Sequence, residues 1–306
     1  MASGELTKRI LFGIVAAPVA IAIVLFGGWP LAALLAVASA LAAWEFFRIA
    51  RAGGLAPLDD VGVAVAGIVP LVVHARYLHL YNPDATIGVA SVAMLAMLML
   101  LGLAIWMRGV QGKPLGGVAV TAFGIAYTGG ALSYAYAIRY QDYAFAPAAM
   151  RIGARSFDVP SGGLLLLLPL LVTWASDIGA YAFGRTFGRH KLIPAVSPGK
   201  TVEGALGGLV ASVIVAWAWT AWPLRPAAHL GFKWPPVGII AFGALVSIAA
   251  QIGDLAESLI KREAGVKDAS NIIPGHGGVL DRVDSLLFVL PVSYVVLGWL
   301  LTWAPS

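Results

Sequence analysis

Apolar and polar positions along this chain alternate on a coarse scale, with long apolar stretches separated by short polar breaks. A helix needs about 20 consecutive apolar residues to cross the hydrocarbon of a bilayer. Runs of that kind cover 10–26, 30–50, 61–78, 86–107, 116–138, 163–187, 202–222, 237–260 and 285–303. A membrane β-barrel would show alternating strands of about ten residues. These runs are continuous, and a helix satisfies all its backbone polar groups internally. The expected fold class is therefore all-α, a polytopic integral membrane protein with about nine transmembrane helices.

The longest break in the first half, 139–162, marks a seam. It separates an N-terminal set of about five spans, 1–138, from a C-terminal set of about four, 163–306, which carries the polar loops. Lys8 and Arg9 ahead of the first run give it the look of a signal peptide. Because that run feeds directly into further spans, it reads as the first transmembrane helix. No internal repeat is visible, so an inverted-repeat transporter has no sequence support.

Composition agrees with the pattern. Of 306 residues, 60% are apolar and 11% charged, against about 25% charged in a soluble domain. Mean hydropathy is +0.87. The net charge of +5 is scattered between apolar runs, which argues against nucleic acid as a partner. Orientation accounts for it better. With the N-terminus in the cytoplasm, 14 of the 20 Lys and Arg residues fall on that side: Lys8, Arg9, Arg48, Arg51, Arg108, Lys113, Arg185, Arg189, Lys191, Lys200, Lys261, Arg262, Lys267 and Arg282. The remaining 6 are Arg76, Arg139, Arg151, Arg155, Arg225 and Lys233. This distribution satisfies the positive-inside rule and places the motif loops in the cytoplasm, on a cell (inner) membrane. The absence of cysteine excludes disulfides, thiolate metal sites and cysteine nucleophiles.

Ionisable residues in apolar helices cost about 2.5 to 3.5 kcal/mol each on insertion scales, so their clustering invites a functional reading. In the segment 251–285, Gln251, Asp254, Ser258 and Lys261 recur at three- and four-residue intervals and share a helix face, flanked by Glu257. Arg262, Lys267 and Asp268 follow, then a tight loop of Pro274, Gly275, His276, Gly277 and Gly278, then Asp281, Arg282 and Asp284. Carboxylates suit hard cations such as Mg²⁺; Lys and Arg neutralise phosphate, and glycines let backbone N–H groups approach it. A second segment, 174–204, holds Ser176, Asp177 and Tyr181, then Ser197, Pro198, Lys200, Thr201 and Glu203. Ser197 before Pro198 has the form of a helix start, with free N–H groups for an anion. A P-loop is excluded, since Pro194 stands where its first glycine is required. Asp177 and Tyr181 lie one turn apart and can face one cavity.

These motifs resemble those of the phosphatidate cytidylyltransferases. The family signature is matched by Ser258, Lys261, Arg262, Lys267, Asp268, Pro274, His276, Gly277, Gly278, Asp281, Arg282 and Asp284 at the family's spacing. The upstream residues Ser176, Asp177, Tyr181, Gly184, Ser197, Pro198, Lys200, Thr201, Glu203 and Gly204 are also similar to the family. The resemblance is confined to roughly 165–290. It implies an Mg²⁺-dependent nucleotidyltransferase that uses CTP and phosphatidate to make CDP-diacylglycerol and pyrophosphate, as a homodimer. Asp254 and Asp281 match the family's metal-binding carboxylates, and a single metal site holding both is expected. Lys261, Arg262 and Lys267 are the expected catalytic cations. The other matched residues are expected to contact phosphate, CTP or phosphatidate.

Competing readings follow from the same residues. Asp254 and Asp281 can instead form ion pairs with Lys261 or Arg282. His276 shapes the loop or donates to phosphate, while Glu203 and Glu257 orient basic neighbours. Glu45 and Arg48 read as structural, with Arg48 snorkelling to the headgroups. At the level of function the alternatives are a CTP-dependent polyprenol or phytol kinase and, from another class, a membrane transporter.

Overall fold

The structure is a computed structural model and describes residues 16–78, 89–140, 148–152, 155–159, 161–224, 235–273 and 277–302. The start of the first predicted span and the loop positions Pro274, Gly275 and His276 lie outside the described residues. The chain forms α1 (Ala16–Phe26), α2 (Gly28–Ala52), α3 (Asp59–Tyr77), α4 (Val89–Met107) and α5 (Pro114–Tyr140). A hairpin of β1 (Ala148–Ile152) and β2 (Arg155–Val159) leads to α6 (Ser161–Phe187). A second hairpin, β3 (Lys191–Ile193) and β4 (Ser197–Thr201), precedes α7 (Val202–Leu224). The chain then forms α8 (Pro236–Glu263) and α9 (Leu280–Thr302).

The molecule is an all-α polytopic membrane protein. The described part of each predicted run is helical, and among the described residues 7 helices, against the nine spans expected, are long and apolar enough to cross a bilayer. The other two apolar helices, Ala16–Phe26 and Ser91–Met107, are shorter than that measure. Two small antiparallel hairpins are additions the hydropathy pattern did not foresee. One occupies the 139–162 seam, and the other sits between α6 and α7.

The chain divides into two compact units that do not follow sequence order. One is built from Gly28–Tyr136 with Leu259–Val283, the other from Ile14–Gly27, Ala137–Ser258 and Asp284–Ser306. In the first, Gly62 of α3 and Gly124 of α5 lie against the fully buried ring of Phe47, where a Cβ has no room. Gly67 would bring its Cβ to 3.2 Å from Ala40. Thr121 Oγ1 joins two elements of this unit, accepting from Leu58 N at 2.8 Å and donating to Gly117 O at 2.7 Å. Met94, Met99, Ile105 and Trp106 of α4 are exposed, as suits helices bathed in hydrocarbon.

In the second unit α6, α7 and α8 pack through small residues. A Cβ on Gly179 would sit 2.6 Å from Ala211 Cβ, one on Gly208 2.8 Å from Ser176 O, and one on Gly243 2.8 Å from Val213 Cα. Lipid supplies little hydrophobic drive between helices, so close backbone approach and interhelical hydrogen bonds do the work. Ser176 and Ser247 bond at 2.8 Å, Ser212 Oγ donates to Val172 O at 3.1 Å, and Gln251 Nε2 donates to Ala205 O at 3.1 Å. Arg139 Nη2 donates to Leu25 O at 2.6 Å and ties α1 into this unit.

Candidate active site

The site is set up by the turn between α6 and α7. After α6 ends, β3 and β4 fold back as a hairpin, with Lys191 opposite Thr201 and Ile193 opposite Ser197. The helix start expected at Ser197 and Pro198 is corrected: both lie in β4, and α7 begins at Val202. Thr201 is the N-cap, extended at φ −126° and ψ 155°, with Oγ1 accepting from Gly204 N at 3.1 Å. Thr offers the same cap as Ser, and hairpin pairing decides between them. Glu203, in the first turn of α7, accepts from Arg189 N at 3.0 Å, from His190 N at 3.2 Å and from His190 Nδ1 at 2.6 Å. Its carboxylate thus clamps the end of α6 to the start of α7, the orienting role weighed for it. Lys191 Nζ donates to Pro198 O at 2.7 Å across the hairpin.

Between this hairpin and the helices lies a cavity of about 520 Å³. Asp177, Tyr181 and Arg185 line it from α6, Ser197, Gly199, Lys200 and Thr201 from β4, and Gln251 and Asp254 from α8. Asp177 and Tyr181 do share one wall. Lys200 Nζ meets Asp254 Oδ2 at 2.8 Å, with side chains 26% and 38% exposed. The Lys200 ammonium is itself buried while Asp254 is partly open, so the pair sits between the cavity and the helices, within reach of an incoming phosphate or cation. Arg185 Nη1 donates to the Tyr181 hydroxyl at 2.7 Å, which holds a second cation at the rim. The cavity therefore presents two cations and two carboxylates beside a helix N-terminus, a combination suited to a polyanion with its counter-ion.

The signature carboxylate Asp281 belongs to the other unit, whereas Asp254 belongs to this one. Asp281 Oδ1 accepts from Lys261 Nζ at 2.7 Å, and Oδ2 accepts from Gly278 N at 2.8 Å and Ala269 N at 3.2 Å. The ion-pair alternative for Asp281 is thus present, with Lys261. Gly277 has φ +80°, the left-handed region in which a Cβ is disfavoured. Arg262, Lys267, Asp268 and Arg282 are exposed around this loop. Asp284 accepts from Ser285 N at 2.6 Å. Ser258 Oγ points to Asp254 Oδ1 at 3.4 Å. Ser176 is buried against Ser247 rather than lining the cavity. His276 lies outside the described residues.

Two details go beyond the sequence reading, which did not place Arg185 in the site and took Glu45 only as structural. Arg185 lines the cavity one turn beyond Tyr181, and its i, i+4 spacing from that residue was a usable signal. Glu45 is fully buried and accepts from Ser270 Oγ, from Val279 N at 3.0 Å and from Leu280 N at 2.6 Å. Arg48 is exposed and lies over the Trp44 ring at 5.8 Å.

Comparison with known proteins places these motifs in context. The model of the cytidylyltransferase family matches residues 7–300, well beyond the 165–290 that carries the resemblance. A phosphatidate cytidylyltransferase of Synechocystis sp. is 32% identical over 303 residues, covering 94% of this chain and 95% of that one. One from Staphylococcus saprophyticus is 45% identical over 142 residues, covering 46% of this chain and 52% of its own. One from Staphylococcus aureus is 38% identical over 197 residues, covering 63% and 71%. The first five spans therefore belong to the matched region as well.

Proposed function

We propose, from the premise that this chain belongs to the cytidylyltransferase family, that it is a phosphatidate cytidylyltransferase, as its Synechocystis and Staphylococcus relatives are named. The reaction joins CTP and phosphatidate to give CDP-diacylglycerol and pyrophosphate. A phosphate oxygen of phosphatidate attacks the α-phosphorus of CTP, a new P–O bond forms, and the bond to the β-phosphate oxygen breaks. The nucleophile is already an anion, so no strong general base is required; the work is charge neutralisation and in-line alignment.

The observation that carries this reading is the charged cavity beside the N-terminus of α7, built by Arg185, Lys200, Asp177 and Asp254. In the proposed assignment Lys200 leaves Asp254 to meet a triphosphate oxygen, and Arg185 braces the rim. Lys261, Arg262 and Lys267 are assigned as catalytic cations from their match to the family signature. A diacyl substrate keeps its tails in hydrocarbon while its headgroup enters the polar site.

Magnesium is part of the proposal. Mg²⁺ takes one or two carboxylates and completes its shell with water and substrate phosphate. Asp254, partly exposed in the cavity, suits this role. Asp281, which accepts from Lys261, Gly278 and Ala269, is the second carboxylate of the proposal, assigned from its match to the family's metal-binding position. When bound, the ion would offset charge on the triphosphate and polarise the α-phosphorus. Cytoplasmic placement of the motif loops and a homodimeric state complete the proposed description; the first rests on the distribution of basic residues, the second on the family resemblance.

The test is to incubate purified protein with phosphatidate, Mg²⁺ and CTP labelled at the α-phosphate. Label in the lipid supports cytidylyl transfer. Label appearing in lipid only from γ-labelled CTP would instead identify a CTP-dependent kinase.

A further inference from the structure

We infer that Glu45, from the second span, is a positioning residue for the signature loop, holding its backbone so that Asp281 and Lys261 face their work. The inference rests on the proposed cytidylyltransferase reading. Glu45 is 0% exposed in α2, where a buried carboxylate is costly unless fully hydrogen-bonded. Its donors all come from one stretch of chain more than 200 residues away. Ser270 Oγ donates to Oε1, as does Val279 N at 3.0 Å, and Leu280 N donates to Oε2 at 2.6 Å.

Asp281 takes the neighbouring groups. Ala269 N and Gly278 N donate to its Oδ2 at 3.2 and 2.8 Å. The two carboxylates thus divide the consecutive positions 269 and 270, and again 278, 279 and 280, between them. Glu45 satisfies amides at the start of α9 that have no partner within the helix, where negative charge is favoured. Asp281 covers Gly278 and Ala269, and its other oxygen meets Lys261 Nζ at 2.7 Å. Gly278 completes the fit, because a Cβ there would lie 2.6 Å from both Glu45 oxygens. Glycine at this position serves the clamp and not the turn alone.

Glu45→Gln keeps the shape but leaves one acceptor oxygen, and turns an NH₂ group towards amide donors. Hydrogen exchange at Val279 and Leu280, read in lipid nanodiscs, should quicken at least tenfold while the rest of α9 stays protected. This readout is independent of substrate. The kcat for CDP-diacylglycerol formation should fall roughly 10- to 100-fold, as for partners that orient active-site ligands. Combined with Asp281→Asn, the loss should not exceed that of Asp281→Asn alone, because both act through one loop. The milder Ser270→Ala, which leaves the amide bonds to Glu45 in place, should lower kcat by roughly threefold. Unchanged exchange at Val279 and Leu280, or losses that multiply in the double variant, would overturn the inference, as would wild-type kcat in Ser270→Ala should Glu45→Gln fail to fold. A wild-type protein that makes no CDP-diacylglycerol would sink the functional reading instead, leaving the exchange result to decide the clamp.

Discussion

Asp254 and Asp281 carry the same charge in different settings, and the difference sets what each substitution does. Asp254 is partly exposed, pairs with Lys200 at 2.8 Å and accepts from Ser258 Oγ at 3.4 Å, so Asp254→Asn spares the fold and acts on the cation. Asp281 holds Lys261 and two backbone amides, and Asn can accept through one oxygen only. Both variants should lower turnover by orders of magnitude, with Asp254→Asn partly rescued by raised Mg²⁺ and Asp281→Asn rescued less. Steady-state rates against Mg²⁺ concentration check this. Wild-type rates and Mg²⁺ dependence in both would remove the metal from the mechanism. Lys261→Met removes the partner of Asp281, with side chains 11% and 10% exposed. It should cut kcat strongly and, by leaving a nearly buried carboxylate without its cation, also lower the unfolding midpoint.

Among the elements, the α6 to α7 contact is the most exacting. Gly179→Val would drive a side chain into Ala211 Cβ and the Gly207 carbonyl, each under 3 Å from the added Cβ. A destabilisation of about 1 to 3 kcal/mol is expected, visible in thermal unfolding of the solubilised protein. Gly102→Ala in α4 meets nothing within 4 Å and should leave stability unchanged or slightly raised, since Ala is the better helix former. The spans were legible because a 20-residue apolar run has few other readings. The hairpin of β3 and β4 was not, since Lys191–Ile193 has three residues and its partner strand contains Pro198 and Gly199. Ser197 with Pro198 and Thr201 before Val202 are both good helix starts locally. Pairing of Ile193 with Ser197 removes the first choice, and no local window contains that information. Glu45 was harder still, as its hydrogen-bond partners lie 225 to 235 residues along the chain.

For the whole molecule the testable statement is orientation. Fourteen of the 20 basic residues fall on one side of the predicted spans, so the hairpin after α6 and the loop after α8 should face the cytoplasm. The chain has no cysteine, which makes single-site labelling clean. Cysteines placed at Arg189 and Val266 should resist an impermeant maleimide in intact cells and react after lysis. Labelling from outside would invert the topology. The discontinuous units bear on how this arrangement is reached during synthesis. Residues 14–27 pack with a segment that begins at Ala137, and Arg139 supplies the bond to Leu25. The ribosome must add about 110 residues before α1 can meet Arg139, about 5 to 20 s at ordinary translation speed. Until then the first helix lacks the hydrogen bond that ties it into its own unit, which makes it a natural client for an insertase or membrane chaperone.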